Sequence, residues 1–315
     1  MTKFEKAILN FPPIAFLVTK SKRITMPGSM GLPLYDVIVE FIKQVKRVGL
    51  AERAAAISFN LVMALPAAML FLFSIVPYLP ESKDFDTQIM DLFKDIAPNS
   101  NTYLLIKNIL DGLLVKHVGI FSFGFILLMY YSSNAVLGII RTFDKSIFEK
   151  KVFFLHRRWR AIVLTVILIL LVIASTTFLV GHDLFATLLK EVFHMKKKAR
   201  LQWWDALRWV ILIVFLFYGI AVVYKFAPSV KRRWPLITPG SVLATLLILL
   251  TTILFSYWVN HFGRYNKVYG SIGTVLIIML LLNLNSLILL IGFELNVSIN
   301  KLLAEKGKAL PEIYN

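Results

Sequence analysis

Tyr269–Phe293 reads YGSIGTVLIIMLLLNLNSLILLIGF, 25 residues without a single charge. Crossing a hydrocarbon core about 30 Å thick takes roughly 20 apolar residues in a helix, so this stretch alone sets the solvent for the chain. Five further segments qualify on the same ground: Ala54–Leu79, Val118–Ile140, Ala161–Val180, Trp209–Tyr224 and Leu236–Val259. Leu207 and Phe226 extend the fourth to about 207–226. The 315 residues are 58% hydrophobic and 17% charged, with a mean hydropathy of +0.73. Soluble domains of this size are nearer half apolar and a quarter charged. The expected fold is therefore an all-α integral membrane bundle of about six transmembrane helices with amphipathic interfacial helices.

Lys and Arg set the orientation. With the N-terminus inside, the inner segments hold 23 of the 35 basic residues, which puts both termini in the cytoplasm by the positive-inside bias. The run Lys196-Lys197-Lys198-Ala199-Arg200 falls in an outer loop against that bias, and its topology stays open. The formal net charge of +17 sits in short segments flanking apolar runs, where membrane topology and anionic head groups account for it. Anionic membrane lipids are thus the expected partners, nucleic acid is not, and a homo-oligomer is left open. Trp203, Trp204, Trp234 and Trp258 stand at span ends, as an interfacial aromatic belt requires. Residues 1–33 read as a cytoplasmic arm, 34–300 as the transmembrane domain and 301–315 as a cytoplasmic tail. In the stretch before the first span, Leu34, Ile38, Phe41, Val45 and Val48 form an apolar stripe opposed by Asp36, Glu40, Lys43, Lys46 and Arg47, an amphipathic helix at the interface. Stripes on either side of Pro98–Asn101 predict a helical hairpin over 81–116, and a further outer helix is expected in Asp183–Asp205.

Polar side chains inside a span are costly and mark functional candidates. In the last span Gly270, Ser271, Thr274, Asn285, Gly292 and Asn296 fall within about 100° of one another on a helix, and Asn283 shares a second face with Glu294. Small and amide residues also glue helices together, so Gly270, Gly273 and Gly292 are candidate packing positions, with Pro66 a kink in the first span. The polar-path candidates are Asn60, Asn134, Asn283, Asn285 and Glu294. Glu294 also suits an ion pair with an arginine of the inner rim. Candidate head-group ligands on that rim are Arg53, Arg141, Arg232 and Arg233. Absence of cysteine excludes thiolate metal sites, disulfides and cysteine nucleophiles. The five histidines lie outside or at the edges of spans, there is no phosphate loop and no paired intramembrane carboxylates. No catalytic residue, metal or cofactor is expected, and the chain reads as a non-enzyme.

The most specific run of motifs lies in the C-terminal third. Arg232-Arg233-Trp234-Pro235 and Pro239-Gly240 precede Tyr265-Asn266-Lys267-Val268-Tyr269-Gly270-Ser271-Ile272-Gly273, and Gly292-Phe293-Glu294-Leu295-Asn296 closes it. With Ala54–Phe59, Pro66 and Ser132-Ser133-Asn134 upstream, this pattern resembles the YihY/BrkB family of bacterial inner-membrane proteins, once labelled ribonuclease BN. The resemblance covers most of residues 35–300. It implies a multi-pass protein of the bacterial cytoplasmic (inner) membrane with no settled activity. Relatives often carry Tyr, Ser and aromatics where this chain has Asn60, Ala64, Leu281 and Asn283, so a ligand stacked there would differ here. The residues offer no metal cluster for phosphodiester hydrolysis, which speaks against the ribonuclease label. The function expected is a transporter or flippase-like protein for a lipid or other amphipathic anion, the alternative a non-transporting scaffold for envelope machinery.

Overall fold

The computed structural model describes residues 19–25, 28–29, 31–75, 118–147, 154–180, 203–230, 234–262 and 271–306. The expected hairpin over 81–116, the run 196–200, Arg232, Arg233, Gly270 and most of the N-terminal arm lie outside them. So do the last nine residues of the expected tail. The described residues are almost wholly helical, with no strand among them. Seven helices follow in order: α1 (Leu34–Val48), α2 (Leu50–Ile75), α3 (Val118–Ile147), α4 (Phe154–Val180), α5 (Trp203–Phe226), α6 (Pro239–Phe262) and α7 (Ser271–Glu305). Six of them, α2 to α7, are long and apolar enough to cross a membrane. The protein is an all-α, multi-pass membrane protein, as its apolar runs require.

The chain divides into two compact units, Met1–Ile57 with Val136–Asn315, and Ser58–Ala135. In the smaller unit the buried positions are mostly small, among them Ser58, Ala64, Ala67, Ser133 and Ala135. In the larger unit α4 packs on α5, α5 on α6, α6 on α7, and α7 on α1.

Several helix ends differ from those read in the sequence. α3 runs seven residues past Ile140, because Phe143 and Ile147 continue the buried stripe of Ile140 at helical spacing. α7 runs past Phe293 to Glu305, because Leu295, Ile299, Leu302 and Leu303 bury against Leu32 and Val37. α6 begins at Pro239 rather than Leu236. There Thr238 Oγ1 accepts from the Ser241 amide at 3.2 Å while Ser241 Oγ accepts from the Thr238 amide at 3.1 Å, a reciprocal cap with proline at the first helical position. The face of α1 also differs. Val37, Glu40, Gln44 and Val48 are its buried residues, whereas Ile38 and Ile42 are 43% and 46% exposed. Two polar residues turn inward because α7 supplies partners for them. Gly49, at φ 64°, makes the left-handed turn that separates α1 from α2.

One contact sets the α6–α7 spacing. A Cβ at Gly240 would overlap the Gly292 carbonyl oxygen, and one at Gly292 would lie 2.6 Å from the Gly240 oxygen. The two backbones therefore touch, as small residues permit within membranes. Asn296 closes the joint: its Oδ1 accepts from the Gly240 amide and its Nδ2 donates to Thr238 Oγ1, both at 2.9 Å. Pro66 sits within α2 and is exposed, and Gly273 lies in the first turn of α7.

Gly240→Ala is expected to cost about 1–3 kcal/mol through overpacking, read as a lowered unfolding midpoint in detergent. Gly219→Ala, with open space around the added methyl, should be neutral or slightly stabilising.

Candidate functional site

Glu294 has no exposed surface. Its Oε1 accepts a hydrogen bond from Ser146 Oγ on α3, and its Oε2 accepts from Gln44 Nε2 on α1 at 3.1 Å. Arg53 on α2 reaches the same oxygen less directly. Its Nη1 lies 4.0 Å from Glu294 Oε1 and donates to Ser146 Oγ at 2.8 Å. A serine hydroxyl has one proton to give and lone pairs to receive with. Ser146 therefore relays the arginine's charge to the carboxylate. Thr142, one turn earlier, adds its carbonyl as a weak acceptor for Arg53 at 3.4 Å. Four helices converge on a single carboxyl group.

α1 is stitched to α7 along its length. Asp36 Oδ2 accepts from Lys306 Nζ at 3.0 Å, Glu40 pairs with Lys301, and Gln44 bonds Glu294. As the α1 number rises the α7 number falls, so the helices run antiparallel with a polar rung at every turn of α1. Beside the innermost rungs lies a cavity of about 250 Å³ whose walls include Gln44, Ser146, Arg47, Lys301 and Glu305. Two residues of its lining are thus the same side chains that hold Glu294.

A second polar joint ties α3 to α4 and the segment after α5. Asp144 accepts from the Ser229 amide at 2.9 Å and from Ser229 Oγ at 2.8 Å, while Arg157 Nε lies 2.9 Å from Asp144 Oδ2. An aromatic group fills the space between the two joints. Phe143 and Phe293 stack at 3.6 Å, Tyr224 meets both edge-on, and Trp234 lies 5.3 Å from Phe293. Tyr224 Oη donates to the Leu289 carbonyl at 2.6 Å. Trp234, expected in an interfacial belt, is instead 5% exposed. Its side chain completes the core by packing on Phe293.

The residues singled out in the sequence fall in different places. Glu294 and Arg53 meet. Asn283 and Asn285 are half-buried on α7, and Asn283 lies about 16 Å from Glu294 along the helix axis at 1.5 Å per residue. The side-chain oxygen of Asn285 is buried without a partner among the described residues. Asn60 and Asn134 are half-buried in the smaller unit, and Arg141 is exposed on α3. Gln44, Ser146 and Asp144 escaped the sequence reading. The last two lie beyond Ile140, where the apolar run of the second span ends, and Gln44 lies off the apolar stripe that defines the amphipathic helix. Glu40 and Gln44, four apart, were the available signal.

Removing one member of a buried ion pair leaves the other uncompensated, at about 3–5 kcal/mol. Arg53→Met is therefore expected to lower the unfolding midpoint sharply in detergent. Adding Glu294→Gln should recover much of that loss, so that the double variant is more stable than the sum of the singles.

The model of the virulence factor BrkB family matches residues 41–313. The chain is 26% identical over 262 residues to the putative ribonuclease-like protein YfkH of Bacillus subtilis, covering 83% of this chain and 92% of that protein. It is 24% identical over 251 residues to a UPF0761 membrane protein of Coxiella burnetii, covering 78% and 86% of the two chains. A UPF0761 membrane protein of Tolumonas auensis is 32% identical over 83 residues, or 26% and 28% of the two chains. No solved structure matches. The glycine contact, the buried carboxylate and its asparagine neighbour thus lie inside a matched region spanning most of the sequence, and the chain belongs to the virulence factor BrkB family of membrane proteins.

Proposed function

We propose that this protein is a transporter or flippase-like carrier for a lipid or other amphipathic anion, and that the Glu294 cluster is its inner gate. The observation that carries this reading is the uneven depth of the core in the larger unit. Buried residues crowd one half of its helices, from Ala161 to Thr165, Ile220 to Pro228, Trp234 to Thr245 and Ser286 to Ser298. In the other half, 166–175, 209–219, 246–258 and 275–285 contain no buried residue. Helices closed at one end and loosely packed at the other are suited to alternating access, in which one gate holds while the opposite side admits a ligand. An ion pair bridged by one serine is a joint that water or a competing charge can part. The cavity beside Gln44 and Ser146, with Arg47, Lys301 and Glu305 in its walls, gives such a charge a place to act.

In this reading the closed half faces the cytoplasm of a bacterial inner membrane, in line with the basic bias of the segments flanking it. Asn283 and Asn285 line the route from the open half to the gate. A scaffold for envelope machinery is the second reading, favoured by the completeness of the packing around Glu294. The ribonuclease-like name of the Bacillus relative adds no support for nuclease chemistry, since the cluster holds one carboxylate, neutralised by its own arginine.

Flux of anionic lipid across proteoliposome membranes separates the readings. Glu294→Gln and Asn283→Ala should each change the rate by about tenfold or more, the scale of one charge-assisted hydrogen bond. Unchanged flux in both variants, with the protein folded, would show that the path runs elsewhere.

A further inference from the structure

We propose that the crevice between α4 and α5 is a binding site for one anionic glycerophospholipid of the surrounding bilayer, apart from the Glu294 cluster and independent of any transport. The crevice has a volume of about 200 Å³ and is lined by Trp159, Arg160, Val163, Leu164, Ile167 and Phe226. Trp159, Val163 and Ile167 follow at four-residue spacing, so the groove runs along the helix for about 12 Å. Trp159 is 67% exposed and Val163 40% exposed on a membrane span, so the groove opens toward lipid.

Its chemistry is graded. Apart from Arg160 and the indole nitrogen of Trp159 the lining is apolar, and a hole with so few polar groups holds water poorly. An acyl chain, by contrast, gains from each buried methylene. At the basic end the Arg160 guanidinium is braced by the Pro228 carbonyl, 3.4 Å from its Nη1, and the planar fork carries five donors in all. Arg157 and Arg158 precede it on the same turn, and Lys225 Nζ stands 5.7 Å from the centre of the Phe226 ring. Among the described residues the carboxylate at this end is Asp144, which Ser229 and Arg157 already engage. Among the described residues cationic charge therefore exceeds anionic charge where a lipid phosphate would sit, one helical turn from the start of the apolar groove. Basic pockets between spans hold anionic head groups in this way. The tryptophan suits the same boundary, with an apolar body and a polar nitrogen.

The test uses the full chain purified in neutral detergent, titrated with phosphatidylglycerol or phosphatidylcholine and read by native mass spectrometry. Phosphatidylglycerol should be retained preferentially. Ile167→Trp, which fills the groove, should lose that retention without altering the lipid-free unfolding midpoint, and Val163→Phe should act likewise should the first variant fold poorly. Arg160→Gln should lower the preference for phosphatidylglycerol over phosphatidylcholine by about fivefold, the scale of one surface cation. Three results would overturn the assignment: equal retention of both lipids by the unaltered chain, undiminished phosphatidylglycerol in the filled variants, or a dimer abolished by filling. The last would make the crevice a contact between copies.

Discussion

A carboxylate without exposed surface has to be answered by donors, and in this protein one such group draws four helices together. Glu294 receives Ser146 from α3 and Gln44 from α1, with Arg53 of α2 behind the serine. Burying an ion pair gains little over an apolar contact, but leaving half of one is expensive. The cluster is therefore better understood as a constraint on arrangement than as a source of stability. It fixes which faces of α1, α2 and α3 may approach α7. Around it the Gly240–Gly292 contact sets the α6–α7 distance, and Asn296, half a turn from Glu294, caps α6. Little more than one turn of α7, Gly292 to Asn296, thus joins it to α1, α2, α3 and α6.

The bilayer made the fold legible. A helix that crosses hydrocarbon must write its length in apolar residues, and the six spans could be counted for that reason. Glu294 was conspicuous for the same cause, and so was its pairing with an arginine of the basic rim. What was hidden depends on tertiary partners. Gln44 looks like an ordinary polar residue until α7 is laid beside α1, and Ile38 looks like core until Glu40 and Gln44 take the inner face. Ser146 and Asp144 follow an arginine in a polar stretch, and hydropathy reads such a stretch as loop. The helix continues there because Phe143 and Ile147 have an aromatic group and a neighbouring helix to bury against. Trp234 was misplaced by the same reasoning, since a tryptophan at a span end suits an interface and a core equally well.

The functional picture joins these constraints. The polar joints and the aromatic stack occupy one half of the larger unit, and the described residues 166–175, 209–219, 246–258 and 275–285 of the other half include no buried one. A bundle so divided has one firm end that can serve as a gate only if its central joint parts. That joint is short and local: an arginine, a serine, a glutamine and a glutamate, beside a cavity. Its parting would remove the innermost rung between α1 and α7 and the polar tie between α3 and α7, leaving the outer rungs, the Phe143–Phe293 stack and the Gly240–Gly292 contact as the hinges about which the helices shift.

The absence of native cysteine makes this accessible to a direct distance measurement. Spin labels on Lys43→Cys in α1 and Lys145→Cys in α3, both exposed positions, report the separation of the two helices that Glu294 joins. The account predicts one narrow distance in lipid-free detergent and a second, longer one in anionic bilayers, enlarged by Glu294→Gln. A single unchanged distance under all three conditions would contradict it.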